Sequence, residues 1–413
     1  MENTQGGSEV KNGAIFTSSL LVLGNVLGVG VLALPITAGL GGFIPAVIGT
    51  FVIWLFMLFA AWLIASKINP NEKNFDLPSF YKEELGTGAK WIAIICNLII
   101  LYGVLVAYLS GFSSMLTGLF PVLANYKTLI IVIYFIIVIG LILYGIKALR
   151  KGMIFLMIAL WICFILMIVT GLSKMQPSLL LYTDWKYIPI VLPIAVSAFH
   201  FHNIIPTVYK SLNNNKKATY KAIFIGVLIG LFINLVWVVL VLGTLPENGS
   251  GVTSIVYANV HSYTANVPMS AVLQNKVFSI AGLIFACLAI TSSFMTNGAG
   301  LFGYISDICY HYLKTDNKMV IGAISFLPPL IVTLVYPNLF LKALSIVGGV
   351  GEDILFGILP AIIILKIAKH FPRHKASLNI IGYVMFFVCL FVLIFVLGQK
   401  FDLITLAPPT VKM

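Results

Sequence analysis

The sequence is divided into long apolar runs, each near the roughly 20 residues that a helix needs to cross the hydrocarbon core of a bilayer. Eleven such runs occur, at about 14–39, 43–67, 89–119, 128–147, 152–172, 187–210, 218–244, 273–312, 319–336, 339–369 and 377–398. Only 9% of the 413 residues are charged, whereas a soluble domain has about 25%. We therefore predict an all-α integral membrane protein with about eleven transmembrane helices.

The connections between these runs are short. The two longest cover 70–90 and 246–268, which leaves no room for a soluble catalytic or signalling domain. The first run lacks a small-residue cleavage site and is followed directly by another long run, so we interpret it as a retained span and not a signal peptide. The five cysteines lie in or at the end of apolar runs without metal-ligand spacing. We predict neither a metal site nor a cofactor.

The positions of lysine and arginine predict the orientation. With a cytoplasmic N-terminus, 18 of the 25 Lys and Arg residues fall on the cytoplasmic side, as the positive-inside rule requires. The same bias explains the net charge of +12 better than nucleic-acid binding does. The predicted organisation is a cytoplasmic tail at 1–13, a single transmembrane domain at 14–398 and a C-terminal tail at 399–413 on the opposite side.

The first apolar run is interrupted by glycines. Gly24, Gly28 and Gly30 stand within seven residues, together with Asn25, and each glycine weakens a helix by about 1 kcal/mol relative to alanine. One interpretation is a packing face, because Gly24 and Gly28 have the small-xxx-small spacing of close helix pairs. The other is a deliberate break in the helix at membrane depth.

A second interruption lies in the sixth run. His200, His202, Asn203 and Pro206 stand close together within apolar sequence, where polar groups must face protein or water and proline disrupts a helix. This interruption follows the first by five spans, as expected for two five-span halves of opposite topology. Paired interruptions of this kind indicate the central site of a transporter, so we favour breaks over a packing face.

These two halves make a 5+5 inverted-repeat fold with discontinuous helices 1 and 6. Repeat one would cover about 14–172 and repeat two about 187–369, followed by an extra helix at about 377–398. The ranges follow from the run boundaries and from the equal number of spans in each half.

Acidic residues within the spans are few. Asp307 falls near the cytoplasmic end of the eighth run and is interpreted as a solvated end charge. Glu352 and Asp353 lie about 21 Å along the tenth run at 1.5 Å per residue, and ionisable groups at that depth are expected to be functional. The alternative is a loop-like dip, in which the preceding glycines end one helix and the two acids cap the next.

The remaining polar groups also leave alternatives open. His200 and His202 can relay a proton or can be buried histidines satisfied by backbone carbonyls, and we expect at most one to line the site. Ser292 and Ser293 can bond to the preceding helical turn or, with carbonyls freed near Gly24, can form an oxygen site for sodium.

Together these motifs resemble the hydroxy/aromatic amino acid permease family, and within it the tyrosine- and tryptophan-specific bacterial permeases. Residues 24–35 resemble that family's G-T-x-I-G-A-G-M-x-A-x-P, and residues 197–207 resemble its T-S-F-G-F-H-G-x-x-P-S. Further matches occur at 289–294, 300–307, 324–330 and 336–337. The departures from the pattern include Asn25, His200, Asn203 and the pair of acids at 352–353.

The resemblance implies an amino acid/polyamine/organocation-type fold, a location in the cell inner membrane, and uptake of an aromatic amino acid with a proton or sodium ion. The substrate carboxylate would meet amides of the first break, and the ammonium group would meet carbonyls of the second. The implied substrate-binding residues are Asn25, Gly28, Val29, Gly30, Ser197, Phe199, His200, Phe201, His202 and Asn203. The candidates for ion coupling are Gly24, Ser292, Ser293, Glu352 and Asp353.

Four other functions are alternatives to uptake of an aromatic amino acid with a proton. A serine/threonine permease of the same family and a sodium-coupled symporter are the alternatives within transport, whereas proton coupling is favoured. A membrane-embedded enzyme would need a motif such as H-E-x-x-H or G-x-S-x-G, and the sequence contains neither. A sensor on the same scaffold would need a signalling domain that the short loops cannot contain.

Overall fold

A computed structural model describes residues 10–28, 30–68, 76–249 and 251–406 of the chain. The first half of this structure is a series of helices joined by short turns. These helices are α1 (Asn12–Val26), α2 (Gly30–Ala38), α3 (Phe43–Lys67), α4 (Leu77–Leu85), α5 (Thr87–Leu119) and α6 (Lys127–Gly171).

The second half is also helical. Its first part contains α7 (Ile188–Ala198), α8 (Ile205–Ser211), α9 (Lys216–Leu242), α10 (Ile255–Val260) and α11 (Asn266–Leu273). Its last part contains α12 (Lys276–Ile308), α13 (Lys318–Val335), α14 (Phe340–Ile346), the π-helix Val347–Ile358, α15 (Leu359–Ala368) and α16 (Lys375–Lys400).

Among the described residues, eight helices are long and apolar enough to cross a membrane, and α1 with α2 adds a ninth if the bent pair is one span. The prediction of an all-helical, multi-pass membrane protein with discontinuous helices is confirmed. The count of eleven spans and the inverted repeat stay predictions. The lower count arises because the fifth predicted span is represented only by a shorter apolar helix, Ile158–Lys174, while the tenth is divided among α14, the π-helix and α15.

The first part of α6 runs parallel to α12. The Tyr134 hydroxyl lies 3.3 Å from the Thr291 hydroxyl, and eight residues later the Ile142 side chain reaches Gly298. Residue numbers therefore increase together along the two helices.

The last part of α6 runs antiparallel to α12. Leu160 and Ser292 line the same cavity, whereas Met167, further along α6, contacts Gly282, which is earlier in α12. The two parts of α6 therefore pass α12 in opposite directions, whereas the number of membrane crossings stays a prediction.

The π-helix packs closely against several neighbours. It contacts α5, α7 and α16, and glycines make the closest approaches. An added Cβ at Gly348 would lie 1.9 Å from the Pro193 carbonyl oxygen of α7, and one at Gly349 would lie 2.4 Å from a methyl carbon of Val396 in α16. The glycines before Glu352 therefore act as a packing surface and do not end a helix, so the helix-capping alternative is wrong.

The two longest connections contain short helices. α4 lies in the 70–90 connection, where Asp76 caps its N-terminus by accepting from the Ser79 amide at 2.8 Å. α10 and α11 lie in the 246–268 connection and its continuation, and the Ala265 amide donates to the Leu32 carbonyl of α2 at 3.0 Å. The polar composition of these loops concealed short helices that are stabilised by tertiary contacts.

Candidate functional site

The first predicted break is confirmed. α1 ends at Val26, where the Leu27 amide donates to the Leu23 carbonyl at 2.9 Å, and α2 begins at Gly30. The two helices are bent by 53° relative to each other. Val29 lies outside the described residues. The glycines supply the backbone freedom that the change of direction requires, and the N-terminus of α2 leaves amide groups without helical partners.

The second predicted break is also confirmed. α7 ends at Ala198, α8 begins at Ile205, and a short 3-10 turn at His202–Ile204 lies between them. Pro206 stands in the first turn of α8, where its missing amide hydrogen removes no helical bond. The segment between the helices therefore leaves the last carbonyls of α7 without helical partners.

The two breaks contact each other directly. Gly30 packs on the end of α7, where an added Cβ would lie 2.6 Å from the Ala198 Cα atom. No side chain fits between the two backbones at this point. The amides at the start of α2 and the carbonyls at the end of α7 are consequently held on neighbouring segments.

We expect a Gly30→Ala variant to separate the two breaks and to lower transport strongly. The new methyl group would meet backbone atoms of Ala198, which cannot rotate away as a side chain can. The initial rate of substrate uptake in proteoliposomes measures the effect. Gly140→Ala in α6 is the matched control, because no atom lies within 4 Å of its added Cβ; equal rates for both variants would contradict the close contact.

A small cavity lies beside the first break. It has a volume of about 30 Å³, which is room for about one water molecule. Its lining combines the end of α1, the later part of α6 and the middle of α12. The lining residues are Gly24, Leu27, Leu160, Trp161, Phe164, Phe285, Ser292 and Ser293.

Three of the predicted ion-coupling residues, Gly24, Ser292 and Ser293, thus lie around one cavity. The Ser292 hydroxyl donates to the Ala289 carbonyl at 3.2 Å, one turn back in α12. The Ser293 hydroxyl oxygen lies 3.4 Å from the position of an added Cβ at Gly28. α12 therefore presents hydroxyl groups to the first break.

Tyr108 of α5 also belongs to this region, although the sequence analysis did not identify it. Its hydroxyl accepts a hydrogen bond from the Asn297 side-chain amide at 3.2 Å and interacts with Ser293. Asn234 of α9 was missed as well; its side-chain oxygen is buried without a hydrogen-bonding partner. A polar residue in the middle of an apolar run is the only sequence feature that marks either position.

The two predicted phenylalanines of the second break face the protein interior. Phe199 and Phe201 are fully buried, and neither lines the cavity. The aromatic surface of the cavity comes instead from Trp161, Phe164 and Phe285.

His202 is a buried histidine with its own partners. Its Nε2 atom lies 3.0 Å from the Met57 carbonyl oxygen of α3, which accepts the bond. Its ring stacks on Phe356 of the π-helix, with centroids 4.1 Å apart, and on Phe201 at 4.5 Å. His202 therefore holds the second break against α3 and the π-helix.

Three further predicted residues have structural contacts or are exposed. The Ser197 hydroxyl donates to the Leu344 carbonyl of α14 at 2.9 Å. The Asn25 side-chain amide donates to the Leu21 carbonyl at 3.3 Å, within its own helix. Asn203 is exposed. Substrate-binding roles for these residues stay predictions.

His200 and the two acids form a separate cluster. The His200 Nδ1 atom lies 2.7 Å from Glu352 Oε1, and the Glu352 side chain is 1% exposed. Asp353 is fully buried with the Cys389 thiol of α16 beside it. None of these residues lines the cavity next to the first break.

Apolar helices that surround two discontinuous helices, with the breaks in contact and a small cavity beside the first of them, define an integral membrane transport protein. Residues 11–399 match the tryptophan/tyrosine permease family. The chain belongs to this family of permeases, which are not enzymes, and the resemblance drawn from the sequence motifs is confirmed.

Several characterised relatives are similar over most of their length. Tyrosine-specific transport system 1 of Haemophilus influenzae is 27% identical over 341 residues, which cover 80% of this chain and 83% of the relative. The low affinity tryptophan permease of Proteus vulgaris is 28% identical over 390 residues, which cover 90% of this chain and 91% of the relative.

The fold is similar to a solved transporter structure. The crystal structure of MhsT in complex with L-phenylalanine aligns with a TM-score of 0.54 at 13% identity, covering 95% of this chain and 99% of MhsT. At this identity the likeness concerns the fold alone.

Proposed function

We propose that the protein is a secondary active transporter that imports an aromatic amino acid, with tyrosine foremost and tryptophan or phenylalanine as related substrates, by cation symport. The observation that carries this proposal is the contact between the two helix breaks at Gly30 and Ala198. It brings a helix N-terminus, which favours a carboxylate, next to carbonyls that suit an ammonium group. The aromatic preference is supported by the transported amino acids of the relatives.

In this proposal the substrate carboxylate meets the amides near Gly28, Val29 and Gly30, and the ammonium group meets carbonyls from Ser197 onward. The aromatic side chain would pack toward Trp161 and Phe164, which line the cavity beside the first break.

Counterflow of labelled amino acids in proteoliposomes tests the substrate class. We expect tyrosine inside the vesicles to drive uptake of labelled tyrosine, and tryptophan or phenylalanine outside to compete. Serine and threonine are the comparison, because they are the alternative substrates of the same family. If tyrosine and tryptophan neither exchange nor compete, the aromatic assignment is wrong.

We favour the proton as the coupled cation, because two carboxylates, Glu352 and Asp353, are buried within the helix bundle. Buried carboxylates in a membrane protein commonly carry protons along a transport path. A sodium ion is the second candidate, supported by the cavity between Gly24 and the hydroxyls of Ser292 and Ser293.

Ion replacement separates these two candidates. We expect uptake to persist when sodium is replaced by choline and to disappear when an ionophore collapses the pH gradient. Loss of uptake in choline together with indifference to the pH gradient would contradict proton coupling and would assign the cation to the cavity beside Gly24.

We place the protein in the cell inner membrane with a cytoplasmic N-terminus and the C-terminus on the opposite side. The bias of 18 among 25 basic residues supports this orientation. The proposed partners are the amino acid substrate, the coupled cation and the lipid bilayer.

A further inference from the structure

A carboxylate and an imidazole are paired where the second break packs against the π-helix. His200 Nδ1 and Glu352 Oε1 are 2.7 Å apart, and the carboxylate is almost fully buried, whereas the imidazole is 17% exposed. The distance is that of an ion pair, although neither atom has a hydrogen bond of good geometry, either to the other or to any further described group. Each charge is therefore compensated mainly by the other.

The surroundings offer no substitute partner. Among the described residues, no lysine or arginine forms an ion pair with Glu352 or with its neighbour Asp353. Uncompensated burial of a charged group is very costly, and removing one member of a buried pair leaves the other uncompensated. Loss of either charge would therefore leave the other without compensation at this contact.

The titratable groups near the pair and near its neighbour Asp353 come from five elements. They are His202 in the break itself, Tyr108 and Cys96 of α5, Asp353 of the π-helix, Cys389 of α16, and Tyr81 of α4, whose hydroxyl donates to the Leu355 carbonyl. Tyr108 and His202 are close to the pair itself, whereas Cys96 and Cys389 are close to Asp353. From α3 the contact is the Met57 carbonyl, which is occupied by His202. All are neutral in their ordinary states except Asp353, which lies beside the Cys389 thiol.

Glu352 and His200 lie in two different kinds of segment, a tightly packed helix and a helix break. Glu352 stands on the π-helix, which is locked to α7 at Gly348 and to α16 at Gly349 by contacts that would exclude a methyl group. His200 stands in the break, outside both α7 and α8. When the attraction between His200 and Glu352 changes, the break is therefore the part that responds. The π-helix stays in contact with α7 and α16.

We infer that His200 and Glu352 form one proton-binding site that controls the second helix break. In the described conformation the His200 imidazolium and the Glu352 carboxylate attract each other and hold the break against the π-helix. When a proton binds a Glu352 oxygen, one O–H bond forms, no other bond changes, and the attraction is lost. The break is then free to move, and release of the proton restores the pair.

This inference rests on the proposed function, because it specifies how a transported proton would be sensed. It assigns His200 to positioning and control of the break, away from the first-break cavity.

The test compares accumulation driven by a pH gradient with counterflow in the same proteoliposomes. At one proton per substrate, a difference of about one pH unit sustains about tenfold accumulation of tyrosine. The ratio of accumulation to counterflow is the measured quantity, so differences in protein amount cancel. We expect Glu352→Gln and His200→Gln to lose the gradient-driven accumulation, and we expect the exchanged pair His200→Glu with Glu352→His to regain part of it.

Glu84→Gln is the matched control, because Glu84 is ion-paired with Lys67 at 2.7 Å but lies outside this cluster. Its ratio should equal that of the unaltered protein. An unchanged ratio in Glu352→Gln or His200→Gln overturns the inference, as does an exchanged pair that shows counterflow without any gradient response.

A measurement on the unaltered protein covers the case in which no variant folds. Tyrosine added to purified protein in weakly buffered detergent should cause uptake of about one proton per molecule bound, and a value of zero overturns the inference. Absence of tyrosine and tryptophan counterflow in the unaltered protein would instead refute the proposed substrate class. If the unaltered protein shows counterflow, and its accumulation of tyrosine depends on a sodium gradient and not on a pH gradient, proton coupling is refuted.

Discussion

A Gly28→Leu variant is expected to lose uptake of the aromatic substrate by about 100-fold or more, equivalent to about 2.7 kcal/mol, while remaining folded in the membrane. The leucine side chain would occupy the space in which the proposed carboxylate meets the amides of the first break. Initial uptake rates in proteoliposomes measure the loss, and size-exclusion chromatography of the purified variant checks the fold.

Gly28→Ala is the control for this substitution. An added Cβ would lie 3.4 Å from the Ser293 hydroxyl oxygen and 3.5 Å from the Asn25 carbonyl oxygen, which are ordinary contacts. Alanine should therefore retain most of the uptake, so that the loss in the leucine variant reports side-chain volume and not lost backbone freedom. Normal uptake by Gly28→Leu would exclude this carboxylate site.

A Gly348→Ala variant should be strongly destabilised. The added methyl carbon would lie 1.9 Å from the Pro193 carbonyl oxygen and 2.6 Å from the Ser197 hydroxyl oxygen, so α7 and the π-helix would have to move apart. Overpacking of this kind costs about 1–3 kcal/mol or more, which exceeds the gain of about 1 kcal/mol from replacing glycine in a helix. The temperature of thermal unfolding in detergent should fall clearly.

Gly303→Ala provides the comparison for stability. No atom lies within 4 Å of its added Cβ, and it lies inside α12, so alanine should maintain or raise the unfolding temperature. A Gly348→Ala variant that unfolds at the same temperature as Gly303→Ala would show that α7 and the π-helix are not in close contact.

The cavity beside the first break gives these predictions a common context. In the proposed transport cycle the broken helices move relative to their neighbours. His202 and the pair of His200 with Glu352 are the contacts that would have to yield for the second break to move.

Both breaks could be predicted because their causes are local. The first break contains Gly24, Gly28 and Gly30, and the second contains Pro206. These residues act on the backbone within a turn or two of their own position. The short helices α4 and α10 could not be predicted in the same way. Each has fewer than ten residues, and such short helices depend on tertiary contacts, for example that of Tyr81 in α4 with the Leu355 carbonyl.

The candidate site was predicted in part. Gly24, Ser292 and Ser293 were expected to lie together, and they line one cavity. Phe199 and Phe201 are both buried in the described conformation, and their expected contact with the substrate stays a prediction. In an irregular segment the direction of a side chain depends on backbone angles that no periodic pattern reveals.

The sequence by itself determined that the chain is an all-helical membrane protein, where two of its helices break, and which permease family it belongs to. These properties follow from local hydrophobicity, from backbone preferences and from short motifs. Only the tertiary structure decided that Gly30 touches Ala198, that Tyr108 reaches Asn297, and that His200 meets Glu352. Such pairings join residues far apart in the chain, and helix packing in three dimensions alone selects them.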